Sequence, residues 1–146
     1  MKNLIVFLFI ITSKLIIAQT PANVGGVETP TIITEEFTKH HPTLVPNWSR
    51  EGQNYKAIYE DPATAKAVMI VYDKKGEVVH TESELDNMNS PKSVNEYYTK
   101  NYPDEKNYKV FNTQDKTGVN GYYINRENNE MIWFDKDGNY VRKNPK

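Results

Sequence analysis

The sequence predicts an α+β fold in which a helix followed by antiparallel strands occurs in tandem, with two helices packed on one face of an antiparallel sheet. Three observations predict it. "MIVYDKKGEVV" from Met69 to Val79 and "MIWFDKDGNYV" from Met131 to Val141 each run from Met-Ile through Asp-Lys-x-Gly back to Val, and a glycine-containing turn between apolar runs is a hairpin signal. "TPTIITEEFTKHHP" from Thr29 to Pro42 matches "SPKSVNEYYTKNYP" from Ser90 to Pro103. After each of these segments the apolar period drops from about 3.6 residues to about 2, the change from helix to strand.

The elements follow in order. The chain opens with "MKNLIVFLFIITSKLIIAQT": a basic residue, Lys2, an apolar stretch from Leu4 to Ile11, a break at Thr12, Ser13 and Lys14, and a small residue at Ala18. That run is too short and too charged for a comfortable membrane span, and residues 1–18 read as a signal peptide. Residues 19–28 form a flexible lead-in, and the mature chain is expected to begin near Gln19. Residues 29–146 form one domain built from two repeats, 29–89 and 90–146.

In each repeat a hydroxyl residue, Thr29 or Ser90, is placed to cap a helix whose first position is proline, where a missing N–H costs nothing. Ile33 and Phe37 in the first helix and Val94 and Tyr98 in the second stand at i and i+4, giving each helix one apolar stripe. Pro42 and Pro103 end them, because the residue before proline is pushed out of helical geometry. "NYKAIYE", Asn54 to Glu60, then puts Tyr55, Ala57 and Tyr59 on one face of a strand; "GYYINRE", Gly121 to Glu127, is its counterpart. "KNYKVFNTQ" from Lys106 alternates weakly and adds a strand, with Trp48 marking the corresponding place in the first repeat. Each helix is thus followed by three or four antiparallel strands, whose face away from the helices is at least partly open.

Composition excludes several function classes. With 18 Lys and Arg against 19 Asp and Glu the formal charge is −1, and loss of the leader removes two lysines and no acid, which argues against a nucleic-acid partner. The chain has no cysteine, so there is no disulfide framework, thiol nucleophile, cysteine zinc site or lipid-acceptor cysteine. No second apolar run of spanning length follows the leader, so no membrane insertion is expected after cleavage.

The repeated Asp-Lys-x-Gly phrase has two readings, a metal loop or a turn. An EF-hand wants glycine at its sixth position and glutamate at its twelfth, whereas "DKDGNYVRKNPK" has glycine at the fourth and Lys146 at the twelfth. Moreover Lys75 stands where the second phrase has Asp137. The turn reading therefore prevails: Asp73 and Asp135 accept N–H groups of their own chain, and Gly76 and Gly138 take a positive φ. His40 and His41 are adjacent and cannot both face one metal from a helix, His41 matches Tyr102 as a half-buried ring, and His80 falls in a solvated place. No metal site and no cofactor is expected. No phosphate loop, G-x-S-x-G elbow or H-E-x-x-H is present, and the pairs Glu35-Glu36 and Asp104-Glu105 read as solvated surface. No catalytic residue is assigned.

What remains is aromatic: ten Tyr, two Trp and five Phe. Trp133 and Phe134 point to opposite faces of their strand, as do Tyr122 and Tyr123. Rings on an open sheet face bring large contact area at small entropy cost. Trp48, Tyr122, Tyr123 and Trp133 are the partner-binding candidates.

Pro30 and Phe37 before His41-Pro42, Trp48, the strand Tyr55 to Tyr59, and Tyr72-Asp73 with Gly76 form a pattern. It is repeated by Pro91, Val94, Tyr102-Pro103, Tyr122 and Phe134-Asp135 with Gly138. In these residues the chain resembles the PepSY-like family of small exported bacterial proteins, over about Glu28 to Val141; Ser90 stands where a leucine before proline is usual. The resemblance implies a fold like that of the beta-lactamase inhibitor protein, no shared catalytic set, and periplasmic or secreted localisation. The function expected is an exported, non-enzymatic module that binds another protein, as an inhibitor or regulator, through its open sheet face. A structural envelope component and a metal-dependent hydrolase are the alternatives.

Overall fold

A computed structural model describes residues 27–86 and 88–141. The expected leader, 1–18, and most of the lead-in, 19–28, lie outside them. The elements are α1 (Thr31–His40), β1 (Asn47–Glu51), β2 (Asn54–Asp61), β3 (Lys66–Tyr72), β4 (Val78–Leu85), α2 (Lys92–Asn101), β5 (Tyr108–Asp115), β6 (Gly118–Arg126), β7 (Met131–Asp135) and β8 (Tyr140–Val141). The strands form one 8-stranded sheet in chain order, with antiparallel neighbours throughout.

Each helix starts one residue later than its proline suggests. Pro30 and Pro91 are themselves the cap residues, and their carbonyls accept the first helical N–H groups, from Ile33 and Thr34 and from Val94 and Asn95. The hydroxyls expected to cap instead turn backwards: Thr29 donates to the Val27 carbonyl at 3.2 Å and Ser90 to the Asp86 carbonyl at 3.0 Å. With proline at the cap, the preceding hydroxyl is out of reach of the first-turn N–H groups and stabilises the entering turn. Both helices stop before the expected prolines, at His40 and Asn101.

The helices share a face of the sheet. Ile33 and Phe37 pack with Trp48, Tyr55, Ala57, Ile70 and Tyr72; Val94 and Tyr98 pack with Val110, Ile124, Ile132 and Phe134. Register links these clusters: Val68, Ser83, Asn112, Tyr122 and Phe134 are successive cross-strand partners. Directly paired residues point to the same side, so the face that receives α1 also receives α2. Between the clusters this face carries half-buried polar residues, Thr81, Ser83 and Asn112, which keep the cores side by side instead of fused.

Beyond the second helix, Glu105 is not the solvated acid expected of it. It accepts the Tyr98 hydroxyl at 2.7 Å and the Arg126 guanidinium, whose Nε lies at 3.0 Å, and the Arg126 hydrogen bond holds its carboxyl below the ordinary range. Arg126 also lies over the Tyr102 ring, 4.3 Å from its centroid, and so ties the exit of α2 to β6.

Candidate functional site

The face opposite the helices carries no covering element among the described residues, yet its centre is closely packed. Register sets Phe111 opposite Tyr123 and Tyr123 opposite Trp133. Phe111 and Tyr123 stack with centroids 4.9 Å apart and planes at 9°, and Trp133 continues the ladder at 4.8 Å from Tyr123. Strand alternation produces this arrangement: Ile132 and Phe134 turn into the α2 core, so Trp133 must turn out. Phe111 and Tyr123 are buried, whereas Trp133 is half-buried at the end of the ladder.

Beside the ladder lies an ionic centre. In β4, "VVHTESEL", alternation turns Thr81, Ser83 and Leu85 toward the helices and His80, Glu82 and Glu84 toward the open face. Tyr55 and Ala57 facing α1 likewise turn Lys56 outward. Lys56 contacts Glu51 and lies 3.5 Å from Glu82, while His80 Nε2 is 3.2 Å from Glu82 Oε1 and 3.4 Å from Glu51 Oε1. Beneath them Val71, in register between Lys56 and His80, is wholly buried. Long charged side chains thus roof an apolar residue where no helix does.

Glu82 joins the two halves of the face. It is 6% exposed, and its Oε2 accepts the Tyr123 hydroxyl at 2.9 Å. Burial pushes the carboxyl pKa up, but the His80 hydrogen bond, the Lys56 charge and the Tyr123 hydroxyl outweigh it, so Glu82 is held below the ordinary carboxylate range. Burial and the adjacent Glu82 charge push the Tyr123 phenol well above its ordinary range. Further along the face Glu84 pairs with Lys109 at 2.8 Å. A hydrogen-bonded polar centre flanked by stacked rings presents both polar groups and apolar area.

The partner-binding candidates divide between the faces. Tyr123 and Trp133 lie together on the open side, but Tyr123 is buried between Phe111 and Trp133, so of the two only Trp133 offers surface. Trp48 is 6% exposed beneath α1, with its ring 5.8 Å from that of Phe37, and Tyr122 packs against the α2 core. Neither is available to a partner on the open face. The match between "NYKAIYE" and "GYYINRE" already carried the signal, since it sets Tyr122 on Tyr55, a helix-facing position. His80, expected in a solvated place, is instead enclosed by Glu51 and Glu82 with 22% of its side chain exposed. Glu51, Lys56, Glu82 and Phe111 were not singled out from sequence.

The four turn residues lie at the two hairpin ends. Asp73 Oδ1 accepts from the N–H groups of Lys75 and Glu77 at 2.8 and 2.9 Å, and Asp135 Oδ1 from those of Asp137 and Asn139 at 2.9 and 2.8 Å. Gly76 and Gly138 have φ of +85° and +80°. Both turns abut a helix start, Gly76 against Ile32 and Gly138 against Ser93.

No protein-family model matches the chain, and no curated protein sequence matches it. Solved structures do. A candidate periplasmic protein from Bacteroides eggerthii superposes with a TM-score of 0.62 at 16% identity, over 81% of this chain and 89% of that one. A DUF2874 family protein from Bacteroides uniformis gives 0.59 at 17% identity, over 79% and 88%. A BLIP-like protein from Bacteroides fragilis gives 0.54 at 16% identity, over 82% and 88%. The chain therefore has a BLIP-like α+β fold, one antiparallel sheet with two helices. At such identities the likeness concerns fold alone.

Proposed function

We propose that this chain is an exported, non-enzymatic protein-binding module of the PepSY-like kind, acting in the periplasm or beyond it as an inhibitor or regulator of another protein. In this reading residues 29–89 and 90–146 are two repeats of one domain, and the partner meets the open sheet face. The single observation that carries it is the Phe111–Tyr123–Trp133 ladder on an uncovered face, with Trp133 as the accessible ring. Large rings locked by their neighbours lose little entropy when a partner covers them. The names of the structural neighbours, one BLIP-like and one a candidate periplasmic protein, support the compartment and the mode of action by analogy of fold. Among the described residues no helix is long and apolar enough to cross a membrane.

Capture from envelope extract with the mature protein, Trp133→Ala and Ile32→Asp tests the reading. Ile32 is 53% exposed on α1, on the other side of the sheet. Loss of a specific captured protein with Trp133→Ala and its retention with Ile32→Asp is the expected result. Equal capture by all three would overturn the choice of face. Export is checked separately by intact mass, which should begin near Gln19.

A further inference from the structure

The ionic centre on the open face brings an imidazole and two carboxylates together at one point. His80 Nε2 stands 3.4 Å from Glu51 Oε1 and 3.2 Å from Glu82 Oε1. Both are ordinary ion-pair separations, so the imidazole already engages the two carboxylates directly. They are also close to the edge of a coordination tetrahedron: with zinc about 2.0–2.2 Å from imidazole nitrogen and carboxylate oxygen, two ligand atoms lie roughly 3.3–3.5 Å apart, so 3.4 Å fits and 3.2 Å needs only a small adjustment. One donor atom from each of Glu51, His80 and Glu82 falls within 4.8 Å of the others.

We infer that Glu51, His80 and Glu82 form a binding site for a borderline divalent metal ion of the zinc class, with its fourth position open toward the solvent side of the sheet. Two further features support this. The Tyr123 hydroxyl engages Glu82 Oε2 and leaves Oε1 directed at His80, the outer-shell anchoring that metal-ligating carboxylates receive. The centre also already holds a cation, since the Lys56 ammonium contacts both Glu51 and Glu82. The two carboxylates outnumber that single charge, and a divalent ion entering at His80 would displace the Lys56 ammonium toward solvent. An imidazole with two carboxylates suits zinc, whereas calcium wants six to eight oxygen ligands.

Isothermal titration of the mature protein with zinc ion at neutral pH, paired with thermal unfolding, tests the site. One saturable site and a melting temperature that rises with zinc concentration are expected. His80→Ala and Glu51→Gln should each weaken binding by more than the roughly 10–100-fold that outer-shell losses cause. His40→Ala, at the exposed end of α1, should leave it unchanged, and Lys56→Met should tighten it by removing the competing cation. Circular dichroism verifies that each variant folds; should His80→Ala fail to fold, Glu51→Gln decides. Absence of saturable zinc binding by the natural chain, or equal binding after loss of His80 or Glu51, overturns the inference.

Discussion

Tyr123 on β6 donates its hydroxyl to Glu82 on β4 at 2.9 Å, reaching across the intervening β5 on the open face. The residues are 41 positions apart, one before α2 and one after it. Tyr123→Phe keeps the ring in its stack and removes only the donor, leaving a buried carboxylate one partner short. A loss of about 1.5–3 kcal/mol is expected from a hydrogen bond to a charged group, read as a lower urea midpoint with unchanged slope. An unchanged midpoint would show that the hydroxyl contributes nothing.

Glu82 also sets an acid limit. Its carboxyl pKa is lower in the folded protein than in the unfolded chain. A depressed carboxylate contributes stability that is fully present above the unfolded value, about 4.3. That contribution is lost as pH falls through the folded value. The denaturation midpoint should therefore fall below about pH 4.3, and Glu82→Gln should show a shallower acid branch. Parallel acid branches for the two proteins would assign the acid loss elsewhere.

The two tryptophans separate core from surface. Trp48 is enclosed beneath α1, so Trp48→Ala should cost on the order of 3–5 kcal/mol through the cavity it leaves. Trp133 ends its ladder half-buried, and Trp133→Ala should cost distinctly less. Equal losses in chemical denaturation would mean that Trp133 is a core residue and the open face is closed.

Much of this fold was legible because local rules and tertiary packing agree. The i, i+4 pairs Ile33–Phe37 and Val94–Tyr98 are the buried helix stripes, and Tyr55, Ala57 and Ile124 face the helices as alternation requires. β1 was marked only by Trp48 because "NWSRE" has a single apolar residue to alternate. The ionic centre was illegible for a different reason. His80, Glu82 and Lys56 occupy outward positions of their strands that read as solvated, and the long Glu51 side chain reaching from β1 toward β4, with the Tyr123 hydroxyl on Glu82, encloses them. Strand periodicity assigns a residue to a face; it does not tell whether charged neighbours on that face close over one another.

Calcium distinguishes a turn from a metal loop. In both hairpins one aspartate oxygen already accepts two N–H groups of its own turn, and Asp135 Oδ2 accepts the Asn139 side-chain amide at 3.0 Å. With so few free oxygens, excess calcium should leave the melting temperature unchanged. A saturable rise, the signature of ligand linkage, would contradict the turn reading.

The hairpin glycines test whether the two cores form one cooperative unit. Gly76 and Gly138 sit at φ of +85° and +80°, and a Cβ at 138 would lie 2.2 Å from Ser93 Oγ, against 3.4 Å from the Ile32 carbonyl oxygen at 76. Valine at either position forces a β-branched side chain into the left-handed region, at a cost on the order of 1–3 kcal/mol. Crowding at 138 is softer than its distance suggests, because the serine hydroxyl can rotate away, so backbone strain should dominate in both variants. The cores are separate clusters, each beneath its own helix, but β4 and β5 pair across the seam between them from Thr81–Gln114 to Leu85–Val110. Loss of either half would expose those hydrogen bonds and one flank of the other core. Gly76→Val and Gly138→Val should therefore each lower the midpoint of a single denaturation transition with its slope unchanged. Two resolved transitions, one moved by each substitution, would instead mean that the halves unfold independently and that the β4–β5 seam carries little coupling.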